Sequence, residues 1–353
     1  MASLKHKKDF INALITEIKS RKDYLMGEKV NTIYFGGGTP SLLQKEELEL
    51  ILAQIDRFHH IEKDAEITLE ANPDDLKREK IREIKESPVN RLSIGIQSFF
   101  DEDLRYLNRV HSAQEAEDCI RLSKEEGFSN LTIDLIYGIP GLTSEKWLAN
   151  LEKFHSLDLP HLSAYSLTVE EKTALYQLIK KKKLPDVDEN LSIVHFRMLT
   201  AFMQRNGYVH YEISNFAREG FYSRHNSLYW MGGNYLGLGP SAHSFNGISR
   251  QWNVASIARY IRNDFKKTMI REEEILSAEQ RYNEYIMTSL RTHWGCDLEH
   301  IQNTFGKKRA AYCLNTSRKY IREGKLMRKG NKLFLTETGK LYADGIASEL
   351  FIG

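Results

Sequence analysis

The chain has 353 residues, 41% of them apolar, and a net charge of +2. That is enough apolar surface for a sizeable core, and it excludes wholesale disorder. The near-neutral charge gives no case for bulk nucleic-acid binding, and no run of about eighteen apolar residues marks a membrane span.

Residues Met1 to Lys8 lead directly into an amphipathic helix marked by Phe10, Ile11, Leu14, Ile15 and Ile18. No signal-peptide pattern precedes it, so a cytoplasmic location is expected. A strand over Asn31–Gly36 then runs into Gly36-Gly37-Gly38-Thr39-Pro40. Glycine amides at such a turn can approach a charged ligand closely, because no Cβ intervenes. Taken alone the run reads as a tight turn, since it is neither a dinucleotide fingerprint nor a phosphate loop. Ser41 with Gln44 three residues on fits a capping box, and Pro40 suits a helix entry.

Further strands are expected over Glu66–Ala71, Arg91–Gln97, Leu131–Tyr137, His161–Leu167 and Tyr208–Ile213, with helical patterns between them. Strand and helix alternate through short connections. This predicts an α/β fold of parallel strands with crossover helices, either a barrel or an open sheet. Thr39, Glu70, Gln97, Asp134 and Glu212 are expected at the C-terminal ends of successive strands, the edge where ligands bind in such folds.

Helical patterns at Glu272–Thr292 and Lys307–Glu323, then strands Lys325–Lys329 and Lys332–Thr336 around a Gly330-Asn331 turn, suggest a small winged-helix-like domain. Its charge over 271–353 is 14 basic minus 11 acidic, or +3. No basic stripe stands out, so a packing domain is favoured over a nucleic-acid module. Lys180–Lys183 reads as a solvated helix end. The expected domains are 1–268 and 269–353. Cys119, Cys296 and Cys313 are far apart, with neither disulfide-framework nor metal-ligand spacing.

Five stretches taken together carry a resemblance. They are Gly36–Ser41, Glu70-Ala71-Asn72-Pro73, Gly95-Ile96-Gln97-Ser98-Phe99, Asn108-Arg109-Val110-His111 and Asp134–Gly141. In this order they resemble the radical S-adenosylmethionine (SAM) enzymes related to oxygen-independent coproporphyrinogen III dehydrogenase. His225-Asn226-Ser227-Leu228-Tyr229-Trp230 resembles the His-Asn-x-x-Tyr-Trp stretch of that family's heme chaperone (HemW-like) branch.

The resemblance implies a partial TIM-like barrel with a C-terminal helical and winged domain, and a heme-motif region near 208–247. It implies a heme chaperone that binds SAM and heme and delivers heme to acceptor proteins. The rival within the family is the coproporphyrinogen III oxidase itself. Gly37, Gly38 and Thr39 would meet the methionyl end of SAM and Arg109 its carboxylate. Glu70 would face the methionyl moiety, and Gln97 and Asp134 the adenosyl part. His225 would be an axial ligand to heme iron, with His243 a weaker second candidate. Taken singly, Arg109 and Glu70 read equally as an ion pair, and Gln97 and Asp134 as strand ends.

The family's Cys-x-x-x-Cys-x-x-Cys loop, which supplies three thiolates to a [4Fe–4S] cluster, has no counterpart in this sequence. The expectation is a family member lacking the first strand and cluster loop, with no cluster ligands, no radical chemistry and a tendency to self-associate. The resemblance leaves room for a homodimer and for peripheral contact with membrane heme proteins.

Overall fold

The computed structural model describes residues 6–171, 173–263, 265 and 271–353. Its largest sheet has seven strands: β1 (Val30–Phe35), β2 (Ile61–Ala71), β3 (Arg91–Gln97), β4 (Leu131–Tyr137), β5 (His161–Ser166), β6 (Val209–Glu212) and β7 (Asn215–Ala217). Their order is β1-β2-β3-β4-β5-β7-β6. β2 through β5 pair in parallel, while β7 runs antiparallel to both β5 and β6. Parallel neighbours need a crossover, and each connection carries a helix: Arg78–Lys85, Ala113–Glu125 and Ser144–Ser156. Ile94, Ile133, Leu135 and Leu162 from the strands, and Ile120, Trp147, Leu151 and Phe154 from the helices, are fully buried. Burial of both sheet faces is what makes these strands read as nearly unbroken apolar runs.

The chain resolves into two compact units. One comprises 34–45 and 67–222 and holds β3 to β7 entire. The other comprises the chain up to Ile33, 46–66 and 223–353. The latter contains a three-stranded antiparallel sheet of β8 (His243–Phe245), β9 (Ser249–Asn253) and β10 (Arg271–Ile275). It also holds the C-terminal helices and the small sheet β11 (Cys296–Asp297), β12 (Leu326–Lys329) and β13 (Lys332–Leu335). In the same unit, Glu17 on the helix Lys7–Ser20 is buried and accepts from Tyr260 Oη (2.6 Å), Asn253 Nδ2 (2.6 Å) and the Gly239 amide (2.9 Å). The boundary expected at 268/269 falls on residues outside those described.

Three expectations need correction. Ser41 forms no capping box: a 3-10 turn spans Pro40–Leu42, and the buried Ser41 hydroxyl donates to Asp75 Oδ2 at 2.7 Å. The following helix, Lys45–His59, instead has its first amide satisfied by Glu83 Oε1 at 2.6 Å. Glu272–Glu274 are not helical. They lie in β10, where Glu273 accepts from Ser249 Oγ and Gln251 Nε2, and Glu272 from Trp252 Nε1. The helix begins at Ala278, behind a capping box of Ser277 with Gln280. Finally, Asp134 is not at a strand end. It sits mid-way along β4, opposite Ser163 of β5.

Candidate functional sites

The first site is built where β1 ends. Gly37 and Gly38 adopt φ of +74° and +68°, a left-handed backbone that favours glycine, and a Cβ on either would meet only open space. Gly36 has a different reason to be glycine: a Cβ there would stand 2.6 Å from the Tyr34 ring and 3.1 Å from the Glu70 carboxyl carbon. That packing lets Tyr34 Oη donate to Glu70 Oε1 at 2.8 Å while the Gly37 amide donates to Oε2 at 3.0 Å. Thr39 follows, half-buried, with its carbonyl accepting from the Leu42 amide.

Gln97 closes β3 with φ +69°, uncommon for a residue with a side chain. The Ser98 amide donates back to Ile96 carbonyl at 2.9 Å, so the chain makes a γ-turn around Gln97, at a shift in the β3–β4 register. This turn carries the Gln97 amide to within 3.0 Å of where a Gly95 Cβ would stand, and Arg109 Nη2 is 3.5 Å from the same point. Arg109 is not paired with Glu70. Its Nη2 donates to Asn72 Oδ1 and to the Gly95 carbonyl, both at 2.9 Å. Burial lowers the Arg109 pKa, partly offset by Asp74 and Asp134.

Asp134 is the most perturbed group of the set. Its pKa is raised to about 7, chiefly by burial and in smaller part by Glu70, against the opposing pull of the Ser163 hydroxyl, Arg91 and Arg109. Tyr165 of β5 lies against the same charges: burial and then Asp134 raise its pKa, while a hydrogen bond with Ser163 lowers it. Glu70, Gln97, Arg109 and Asp134 are therefore drawn together with Gly37. Tyr34, Ser163 and Tyr165 were missed by the sequence reading. Strand alternation held a signal for the last two, since Ser163 and Tyr165 stand opposite Asp134 and Ile136.

The second site lies on the short helix Arg224–Trp230. Ser223 caps it by accepting from the Asn226 amide. The buried Glu66 carboxylate accepts from the Arg224 and His225 amides at 3.2 and 3.0 Å, satisfying two of the donors a helix start leaves open. The half-buried His225 ring is held at both nitrogens, Nδ1 by Thr32 Oγ1 (2.9 Å) and Nε2 by Tyr229 Oη (3.1 Å). Burial lowers its pKa to about 4, so the ring is neutral at physiological pH. An aromatic series continues from Tyr229 to Tyr235 (ring centroids 4.5 Å apart) and from Tyr235 to Phe245 (6.1 Å). Trp230 is capped by the Arg291 guanidinium at 5.5 Å. His243 is exposed and stacks with Trp252 at 6.2 Å.

The radical SAM superfamily model matches residues 9–154 and the HemN C-terminal domain model matches 276–342. The heme chaperone HemW of Lactococcus lactis is 37% identical over 298 residues, covering 84% of this chain and 77% of that protein. HemW of Bacillus subtilis is 32% identical over 340 residues, covering 96% and 90%. The chain belongs to the HemW branch of the radical SAM family. Among solved structures, coproporphyrinogen III oxidase (HemN) from Escherichia coli superposes with a TM-score of 0.84 at 23% identity, covering 99% of this chain and 84% of that one. That likeness shows the fold: the seven-stranded, mostly parallel sheet is the partial barrel of the family.

A [4Fe–4S] cluster in this family would need three thiolates. Cys119 lies on the helix Ala113–Glu125, Cys296 on β11 and Cys313 on the helix Lys307–Arg322, all buried. Among the described residues, no group of three or more His, Cys, Asp or Glu is placed to hold a metal. The cysteines present do not fit the cluster. Likewise, no helix among the described residues is long and apolar enough to cross a membrane.

Proposed function

We propose that the chain binds heme through His225, binds SAM at the site formed by Gly37, Gly38, Thr39, Glu70, Gln97, Arg109 and Asp134, and delivers heme to acceptor proteins. The observation that carries the heme reading is the state of His225. Iron needs a ring nitrogen with a free lone pair, and a neutral imidazole supplies one. Burial keeps this ring neutral well below pH 7, and Tyr229, Tyr235 and Phe245 offer an aromatic flank for a flat macrocycle. HemW of Lactococcus lactis and of Bacillus subtilis are both named heme chaperones, which supports the same direction.

The site fits SAM by the chemistry of its donors. Glu70 is an acceptor beside an open glycine turn, suited to an ammonium. Arg109 presents a guanidinium suited to a carboxylate, and Asp134 can accept from ribose hydroxyls. SAM in this family is the source of radical chemistry. The residues of this site would bind and orient SAM; the chain's cysteines supply no ligands to a cluster.

The test is a heme titration followed at the Soret band, wild type against His225→Ala. A saturable one-to-one band that is lost in the variant is expected. Identical titrations would remove His225 from the site.

A further inference from the structure

We infer that Thr32 is the residue that orients His225 for heme, a reading that rests on His225 being the axial ligand. A histidine bound to metal through one nitrogen carries its proton on the other. A hydrogen-bond acceptor there fixes the tautomer and the ring angle and makes the ligand more basic. Thr32 Oγ1 stands 2.9 Å from Nδ1, on β1, 193 residues away in sequence.

The other nitrogen, Nε2, faces the half-exposed Tyr229 hydroxyl at 3.1 Å. A phenol on one side and a strand-borne hydroxyl on the other are not equivalent supports. Tyr229 is 39% exposed, and its oxygen is the partner that an incoming iron would displace. Thr32 is partly buried in a strand, and its side chain is β-branched and therefore stiff at χ1. The geometry thus assigns Nδ1 to the protein and Nε2 to the iron. Before heme arrives, Tyr229 donates to Nε2 and holds the lone pair in place; Thr32 accepts from Nδ1–H before and after. The Glu66 carboxylate complements this by holding the His225 backbone amide at 3.0 Å, so backbone and ring are each fixed by one residue far away in sequence.

Two variants and two readouts test this. Thr32→Val keeps the shape and removes the acceptor; Thr32→Ser restores it. In the heme-free protein, nitrogen-15 NMR of the His225 ring should show the Nδ1–H tautomer in wild type and Thr32→Ser, and a mixture in Thr32→Val. With heme added, Thr32→Val should release it about tenfold faster, with a raised midpoint potential and an altered ferric spectrum, while Thr32→Ser stays within about twofold of wild type. An unchanged tautomer and an unchanged potential in Thr32→Val would overturn the assignment while leaving His225 as ligand. If His225→Ala itself binds heme as wild type does, the heme reading fails instead. Circular dichroism of Thr32→Val separates loss of orientation from loss of fold. If that variant is unfolded, the wild-type tautomer decides, and the Nε2–H form would overturn the proposal.

Discussion

Asp134→Asn should stabilise the chain, and more so as pH rises. The Asp134 carboxyl has a pKa raised from 3.8 to about 7, chiefly by burial. A group whose folded pKa exceeds its unfolded value favours folding below the unfolded pKa. That contribution is lost as pH climbs from about 4 through about 7. A shift of about three units corresponds to ~4 kcal/mol at 1.36 kcal/mol per unit. The side chain is only partly buried, so roughly half of that, ~2 kcal/mol, is the expected plateau. Asparagine does not titrate and can still accept from the Ser163 hydroxyl. Urea unfolding followed by circular dichroism should therefore show Asp134→Asn more stable by about 1 kcal/mol at pH 5 and about 2 kcal/mol at pH 8. A difference that is flat with pH, or a variant less stable at pH 8, would refute the claim that this carboxylate is held at a cost.

Arg109→Gln loses the guanidinium that bonds Asn72 and Gly95, so SAM affinity by calorimetry should fall about tenfold or more, with a stability loss of about 1–2 kcal/mol from the two acceptors left without their donor. Gly36→Ala places a Cβ 2.6 Å from the Tyr34 ring, so overpacking of about 1–3 kcal/mol should appear as a lowered urea midpoint. Glu66→Ala leaves the Arg224 and His225 amides without their acceptor. It should cost about 2 kcal/mol and weaken heme retention without touching heme, both read from the same unfolding and Soret measurements.

Much of the barrel was legible because its strands are buried on both faces. The apolar runs at Arg91–Gln97 and Leu131–Tyr137 matched the observed strands end for end. What misled was chemistry that only tertiary neighbours decide. Ser41 and Gln44 have capping-box spacing, but Asp75, 34 residues on, offers the serine a charged acceptor. Glu272–Glu274 sit next to a true helix and share its polarity, yet Ser249, Gln251 and Trp252 hold them in a strand. The β8–β10 sheet went unread for the same reason: its strands are short and pair through polar side chains. For the SAM site, the family resemblance pointed to Glu70, Gln97, Arg109 and Asp134. The γ-turn at Gln97, the Tyr34–Glu70 bond and the Thr32–His225 bond are contacts that no local pattern announces.

The claim that this chain carries heme for others is tested most directly by hand-over. The heme-loaded chain is mixed with the apo form of a heme-requiring protein, and the acceptor's own Soret band is followed over time. Heme should move faster than free heme is taken up from solution under the same conditions, and His225→Ala should deliver none. Heme that stays on the chain, or that reaches the acceptor equally fast without it, would rule out a role in carrying heme to other proteins.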